Sequence, residues 1–512
     1  MIGVLAISCQ LSALLLEKGF DMGVLKGIWN WFDDRTGLGS AVTPILKHKV
    51  PRTSEFDGWW YVLGSATLIA FIIQVTTGIA LSTSYVSSTN DAYQSLQYIT
   101  SDPIGGFLRG MHNWGASAMV LLIGLHALHV FLIASYKFPR EMHWLSGVFL
   151  LLLTLAMAFT GQLLRWDDTA VSSVVVAAAQ AGRSPFIGQQ VAHFVLAGDT
   201  VGGATLSRFF SFHVFFIPAI LFLLVGFHLY LVIRNGVSEP PKRGDIVDPK
   251  TYRQKYHDLL ERDGVPFWPD AAWRDAAGAL MVVIVVVVLA LVIGPPVLGK
   301  APDPTILTVY PKPDWYFLWY FSILALIPTQ AESAVIIFGP LLAIVVMIAL
   351  PFMANKGERN PLRRPWAVLL TILILIMVGT LWIVGEQEPW SPKIQIQALD
   401  PARLHLTAQD GAVYRGAQLF SSKGCVTCHV IADYGAQKGP NLSYVANRYN
   451  ANQLTYIIMA GRGGMPAYSA NLTNPEWNDL LAFLLTRRND NVLPTPQGSP
   501  APNYPTLQPA SH

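Results

Sequence analysis

His112-Asn-Trp-Gly-Ala-Ser opens a stretch that runs to His126, and Ser-Phe-His213 opens another that runs to His228. Each pair lies in an apolar run long enough to cross the roughly 30 Å hydrocarbon layer of a membrane. Histidine is costly in that setting and is usually there for function. The first pair is 14 residues apart and the second 15. At about 100° per residue, the first interval returns to within roughly 40° of its start and the second overshoots by roughly 60°. Both pairs therefore stay on broadly one face, about 21 Å apart along the axis. Two such helices can hold two haems, one near each membrane surface, each iron taking one histidine from each helix. A single membrane histidine could equally be a packed, hydrogen-bonded residue; two matched pairs favour ligation. His129, three residues beyond His126, points about 60° away and is a decoy.

A second pattern repeats the interval. Gly64 and Gly78 are 14 apart in the span before the first histidine pair, and Gly147 and Gly161 are 14 apart in the span after it. Glycine removes the side chain where a flat macrocycle must approach a backbone. Glycine also serves ordinary packing between membrane helices, but packing alone does not ask for the histidine interval twice.

Composition agrees with lipid as the solvent. Of 512 residues, 52% are hydrophobic and 13% charged, the latter about half the share usual in soluble domains. The net charge of +3 gives no reason to expect nucleic-acid binding. Seven apolar stretches are long enough to span, near 59–81, 112–134, 144–163, 209–233, 274–294, 333–353 and 366–385. The apolar run Val4 to Leu16 has no basic residue ahead of it and lacks the form of a cleavable signal peptide; a surface-lying helix is expected there. With a cytoplasmic N-terminus, the cytoplasmic segments hold 20 Lys and Arg: six before the first span, two in 135–143, eight in 234–274 and four in 354–365. The opposite loops hold six, Arg109, Arg165, Arg183, Arg208, Lys300 and Lys312. That excess fixes the orientation, and an odd number of spans puts the C-terminal segment outside.

Beyond the seventh span, Pro389, Pro392 and Pro401 mark a tether. Residues 411–488 read as a small soluble helical domain, and the Pro- and Ser-rich tail of 489–512 as disordered. Three cysteines make no disulfide framework. Cys9 stands alone and reads as inert. Cys425-Val-Thr-Cys428-His429 is the attachment motif of a c-type haem, with two thioethers to the porphyrin and the histidine on iron. Zinc would need further partners, and only His405 and His512 are near in sequence. A soft thioether is expected as sixth ligand. Met465, in Gly-Gly-Met-Pro-Ala-Tyr, is the candidate, whereas Met459 sits in an apolar helical run. Pro440 is placed to offer its carbonyl to the other ring nitrogen of His429. The fold class is therefore all-α: a seven-helix transmembrane dihaem bundle followed by a small soluble helical c-type cytochrome domain.

Together these residues resemble the cytochrome b subunit of the quinol–cytochrome c oxidoreductases, the cytochrome bc1/b6f family, over roughly 25–390. The run SLQYITSD…LRGMHNWGASAMVLLIGLH…PRE looks like the chloroplast-type protein, and residues 265–390 look like its separately encoded second subunit, here fused. The tail resembles a class I cytochrome c. The resemblance divides the chain into a cytoplasmic segment with a surface helix (1–58), a b6-like haem-binding bundle (59–264), a three-helix domain with a quinol-site loop (265–390), a linker (391–410), a cytochrome c domain (411–488) and the tail. It implies that His112 and His213 hold an outer, low-potential haem b, and His126 and His228 an inner, high-potential one. Arg109 matches an arginine that pairs with a haem propionate. Pro313-Asp314-Trp315-Tyr316 matches the family's Pro-Glu-Trp-Tyr at the outer quinol-oxidation site, making Asp314 and Tyr316 the catalytic candidates; a carboxylate there can accept a proton as quinol is oxidised. A solvated loop acid is the plain alternative for Asp314. Pro266-Phe-Trp-Pro…Trp-Arg274-Asp275…Gly278-Ala-Leu matches the inner quinone site, where Arg274 and Asp275 would contact quinone; a helix-start carboxylate favoured by the dipole is the alternative for Asp275.

The chain also departs from the pattern. Val62 stands where chloroplast-type proteins carry a cysteine for an extra haem, so none is expected. Ile233, followed by Arg234, replaces an inner-site histidine or arginine. Asp in place of Glu in Pro-Asp-Trp-Tyr points towards low-potential quinones such as menaquinone. Arg165-Trp-Asp-Asp diverges beside the outer site. The resemblance implies bifurcated quinol oxidation with proton translocation in a bacterial cytoplasmic membrane. The partners it implies are a Rieske iron–sulfur protein, a soluble or membrane-bound c-type cytochrome or other acceptor, and a second copy in a homodimeric complex. The rivals are a non-bifurcating dihaem quinol dehydrogenase feeding its own haem c, against which the Pro-Asp-Trp-Tyr loop counts, and a non-catalytic assembly scaffold.

Overall fold

The computed structural model describes residues 23–198, 200–302, 312–387, 398–435, 439–461, 465, 468–469 and 471–489. Cys9, the run Val4 to Leu16, residues 391–397 of the tether and residues 490–512 of the tail lie outside them. Among the described residues, seven helices are long and apolar enough to cross a membrane: α1 (Glu55–Ser82), α2 (Pro103–Leu132), α3 (Glu141–Leu163), α6 (Gly203–Asn235), α7 (Phe267–Val292), α9 (Gln330–Met353) and α10 (Pro365–Glu386). Between α3 and α6 lie α4 (Asp168–Gly182) and α5 (Gly188–Leu196), and α8 (Trp315–Leu326) precedes α9. These three shorter helices were not anticipated from the sequence. Three more build the C-terminal domain: α11 (Ala412–Ser422), α12 (Ala451–Ala460) and α13 (Asn474–Leu485).

The chain divides into two compact units, one of residues 1–165, 209–298 and 313–389, the other of 166–208, 299–312 and 390–512. In the first, α1 packs on α2, α3 on α6, and α7 against both α1 and α2. Their seam is a core of Ala66, Ala70, Phe71, Met119, Ile217, Leu221, Val282 and Val286. The last two spans, α9 and α10, carry exposed Leu341, Val345, Val346, Leu369 and Ile372. Leaving that much apolar surface uncovered suits lipid contact and nothing aqueous. Small residues let backbones approach where helices cross. A Cβ at Gly385 of α10 would land 2.5 Å from Leu318 of α8, and beside it Ser322 donates to the Leu381 carbonyl at 2.7 Å.

The end of this unit that carries the excess of basic residues is fastened by buried arginines. Arg364 donates to the Leu132 carbonyl at 2.9 Å and Arg359 to that of Ile133 at 3.3 Å, satisfying carbonyls that the end of α2 leaves without helical partners. Arg359 also pairs with Glu239 at 2.5 Å, and Arg140 donates to the Tyr252 hydroxyl at 2.7 Å. Two short antiparallel ladders tie distant segments there, Lys49–Val50 (β1) with Val265–Pro266 (β3) and Ile246–Val247 (β2) with Gly357–Glu358 (β4).

In the second unit, α4 and α5 form a hairpin whose closure needs glycine, since a Cβ at Gly188 would lie 2.1 Å from the Gly182 carbonyl oxygen. The C-terminal domain crosses α11 over α13. A Cβ at Gly416 would meet the Asp479 carbonyl oxygen at 2.1 Å, and Arg415 clamps the Asp479 carboxylate with two bonds of 2.8 Å. Phe420, Val426, Ile431, Leu454, Trp477 and Phe483 fill its core. Capping boxes at Asn450 with Gln453 and Thr473 with Glu476 start α12 and α13, satisfying otherwise orphaned N–H groups.

Candidate functional site

The four histidines meet in the first unit. The imidazoles of His112 and His213 face each other with centroids 6.2 Å apart and planes crossed at 78°. Two metal–imidazole bonds of about 2 Å, plus about 1.1 Å from each nitrogen to its ring centre, require a separation of about 6.2 Å. The spacing fits an iron between them. His126 and His228 are near enough to interact electrostatically. His129 is packed elsewhere, stacked on Trp60 at 6.2 Å and edge-on to Tyr61 at 5.3 Å.

The unequal intervals have a structural cause. Residues Phe212–Phe216 form a π-helical turn, and His213 lies inside it. Such a turn absorbs one extra residue, so fifteen steps in α6 do the work of fourteen in α2. The overshoot read from the sequence assumed uniform α-helix and disappears.

Each of the four glycines faces one of the four histidines. A Cβ at Gly78 would lie 3.2 Å from His112 Cε1, at Gly64 3.4 Å from His126 Cε1, at Gly161 2.6 Å from His213 Cε1 and at Gly147 3.8 Å from His228 Cε1. Three of the imidazoles are also held by a hydroxyl one residue before the glycine: Thr77 with His112 Nδ1 at 2.9 Å, Thr160 with His213 Nδ1 at 3.1 Å and Ser146 with His228 Nδ1 at 2.8 Å. Nδ1 is thus engaged and Nε2 left for a metal. On spacing, glycine clearance and tautomer, the residues present fit haem. Arg109 is buried at the start of α2 and donates to Thr100 Oγ1 at 3.1 Å.

His143 escaped the sequence reading. Its ring lies 6.2 Å from that of His228 at 81°, and neither of its ring nitrogens has a hydrogen-bond partner among the described residues. The signal was available: His143 is four residues before Gly147, and i, i+4 residues share a helix face.

At the start of α8, Asp314 is held by two neighbours. Tyr316 donates its hydroxyl to Asp314 Oδ2 at 2.9 Å, and Arg165, from the end of α3, lies 3.9 Å from Oδ1. Burial pushes the Tyr316 phenol far up, and the adjacent carboxylate adds to that. The Asp314 side chain is 34% exposed, enough to exchange protons with water. The divergent Arg165 is therefore part of this cluster, a role that sequence distance concealed. Trp315 reaches Ser117 of α2 at 3.3 Å.

Arg274 and Asp275 do not bond to each other among the described residues. Asp275 accepts from Ser65 at 2.7 Å, while Arg274 stacks over Trp273 at 5.0 Å and reaches Thr53 at 3.5 Å. Val62 is buried and packs against Gly278. Ile233 and Arg234 line an open cleft of about 500 Å³ with Tyr252, Tyr256 and His257.

In the C-terminal domain, His429 Nδ1 donates to the Pro440 carbonyl at 2.8 Å, which leaves Nε2 available. Gly439 leaves room for the ring, since a Cβ there would lie 2.5 Å from His429 Cε1. Burial pushes the Cys425 thiol up to about 12 and lowers the His429 imidazole. Met465 and Met459 both pack against the domain core. The molecule is thus a multi-pass membrane protein whose paired histidines are arranged for haem.

Comparison with known proteins is consistent with this. Residues 117–302 match the family model Cytochrome b(N-terminal)/b6/petB, 303–400 match Cytochrome b(C-terminal)/b6/petD, and 411–484 match Cytochrome C oxidase, cbb3-type, subunit III. The menaquinol:cytochrome c reductase cytochrome b subunit of Bacillus subtilis is 38% identical over 224 residues, 42% of this chain and 100% of that protein. The cytochrome bc complex cytochrome b subunit of Chlorobaculum thiosulfatiphilum is 30% identical over 361 residues, 70% of this chain and 80% of its own length. A solved chain of a hyperthermophilic respiratory complex III shares the fold, with a TM-score of 0.60 and 24% identity, covering 77% of this chain and 99% of its own. The chain belongs to the cytochrome b family and carries a C-terminal cytochrome c domain.

Proposed function

We propose that this chain is the cytochrome b and c subunit of a quinol–cytochrome c oxidoreductase that oxidises quinol at the outer membrane face and splits its two electrons. The carrying observation is the pairing of four membrane histidines with the Asp314–Tyr316–Arg165 cluster. The two haem b groups and one haem c supply one-electron transfer, across the membrane through the former and outward through the latter. His112 with His213 hold the outer haem b, His126 with His228 the inner one, and Cys425, Cys428, His429 and Met465 the haem c. Arg109 serves a propionate of the outer haem.

Asp314 accepts a proton from quinol and passes it to water, for which its partial exposure suits it. Tyr316 and Arg165 fix the two carboxylate oxygens in different directions, so that the acceptor is oriented before substrate arrives. On the cytoplasmic side, Asp275 and Arg274 serve a second quinone. Protons leave outside and are taken up inside, which builds a gradient. A Rieske iron–sulfur protein takes the first electron, a c-type cytochrome or another acceptor takes it from haem c, and the complex is a homodimer in a bacterial cytoplasmic membrane with the cytochrome c domain outside. Menaquinol is the favoured substrate, because of Asp314 and because a relative covered over its whole length is named for it.

The test is oxidant-induced reduction in the purified complex with its Rieske-type subunit present. With an inner-site inhibitor bound, a pulse of oxidant should reduce the b haems. Oxidation of the b haems instead would favour simple relay to haem c and reject splitting.

A further inference from the structure

The hydroxyls beside the histidines are unevenly distributed. Thr77, Thr160 and Ser146 each precede a glycine that faces a histidine, and each bonds that histidine's Nδ1. The fourth glycine, Gly64, is preceded by Leu63, and His126 makes no side-chain hydrogen bond among the described residues. Apart from the hydroxyl, the Gly64 site copies the Gly78 site. Cβ-to-ring distances are 3.4 and 3.8 Å to Cε1 and Nδ1 at Gly64, against 3.2 and 3.7 Å at Gly78.

The direction of each bond follows from proton counting. A hydroxyl has one proton to give. Thr77 is 2.6 Å from the Ile73 carbonyl oxygen, Thr160 2.8 Å from that of Ala156 and Ser146 2.8 Å from that of Met142. A carbonyl oxygen can only accept, so each hydroxyl proton is used within its own helix. Towards histidine the hydroxyl oxygen accepts, and Nδ1–H donates. A ligand whose distal N–H is held by an acceptor is more basic towards its metal, and a more basic ligand favours ferric over ferrous iron.

We propose that Thr77, Thr160 and Ser146 are positioning residues that lower the potentials of the b haems, and that Leu63 exempts His126 from this effect. The inference rests on these four histidines being the haem ligands. On that footing the His112–His213 haem has two braced ligands and the His126–His228 haem one. The bracing therefore separates the two potentials, with the outer haem the lower and the fall towards the inner side. Electron flow across the membrane gains its direction partly from three hydroxyls that touch neither iron nor quinone.

The experiment is a redox titration of the b bands in the purified full-length complex, with haem content measured in parallel. Thr77→Val and Thr160→Val keep the side-chain shape and remove the hydroxyl acceptor. Each should raise the outer potential, by about 59 mV for a tenfold change in the reduction equilibrium, and leave the inner one unmoved. Thr77→Ser should restore the original value. Leu63→Thr, which adds a hydroxyl at the equivalent place, should lower the inner potential alone. Both haems retained with unmoved potentials in the two valine variants would overturn the proposal. If a valine variant loses haem, Leu63→Thr decides, and an inner potential unchanged there overturns it as well. Failure of the ligand assignment looks different, since alanine at one of the four histidines would then leave the b-haem content unchanged.

Discussion

Alanine at the four glycines should give a graded series that follows clearance. At Gly147 the new methyl meets His228 at 3.8 Å, an ordinary contact, whereas at Gly161 it would lie 2.6 Å from Cε1, 3.1 Å from Nε2 and 3.2 Å from Nδ1 of His213. His213 cannot swing away freely, because Thr160 holds its Nδ1. Overpacking of this kind costs about 1–3 kcal/mol, against a gain of about 0.8–1.0 kcal/mol from replacing glycine by alanine within a helix. Gly161→Ala therefore loses up to about 2 kcal/mol net, a change in population of up to roughly 30-fold. Gly147→Ala lacks the clash and keeps the helix gain. Gly78→Ala and Gly64→Ala, at 3.2 and 3.4 Å, fall between. The assay is b-haem content of the purified variants with redox titration to tell the two haems apart. Gly161→Ala should deplete the outer haem selectively and Gly147→Ala should retain both. Equal losses at the two positions, or loss of the inner haem in Gly161→Ala, would refute the reasoning from clearance.

Other consequences can be checked separately. Asp314→Asn should slow quinol oxidation at least tenfold while leaving the haem spectra intact, by loss of a general base worth about 10²–10⁴; unchanged turnover would reduce Asp314 to loop chemistry. His429→Ala should abolish covalent haem and keep both b haems, read by haem staining of a denaturing gel beside the b-band spectrum. Glu476, bonded by Lys423 and then by Thr473, has its carboxyl held down at about 2, against a usual 4.5. Because the folded value is depressed, its contribution to stability is complete above pH 4.5 and is lost as pH falls towards 2. Thermal melts at the c band should show wild type losing stability over that window, and Glu476→Gln showing less of the loss.

Much of the membrane bundle was legible because lipid imposes simple rules. Seven apolar runs became seven helices, with ends shifted by the residues that cap them. The second starts at Pro103 and not near 112 because Asp102 caps its first turn, accepting from Gly105 at 2.8 Å. The histidine and glycine intervals could be read because a straight helix turns repeat distance into direction. The π turn at His213 could not, since nothing in a one-residue excess says how the backbone absorbs it. Pairings across long sequence distances were also hidden. Arg165 meets Asp314 from 149 residues away, and the hydroxyls of Thr77, Thr160 and Ser146 look like ordinary membrane-helix residues until the neighbouring helix is in place. The hairpin of α4 and α5 and the short α8 were missed because they are too short to span and carry no motif of their own. Arg274 and Asp275 read as a pair in sequence, yet adjacent helical side chains point about 100° apart, and the two bond to different partners.

That the four histidines His112, His213, His126 and His228 hold two b haems is tested most directly by a pyridine haemochrome assay on the pure polypeptide. Two equivalents of acid-extractable protohaem should accompany one covalently retained haem c. A yield of one protohaem, or none, from a preparation with full haem c would contradict the account.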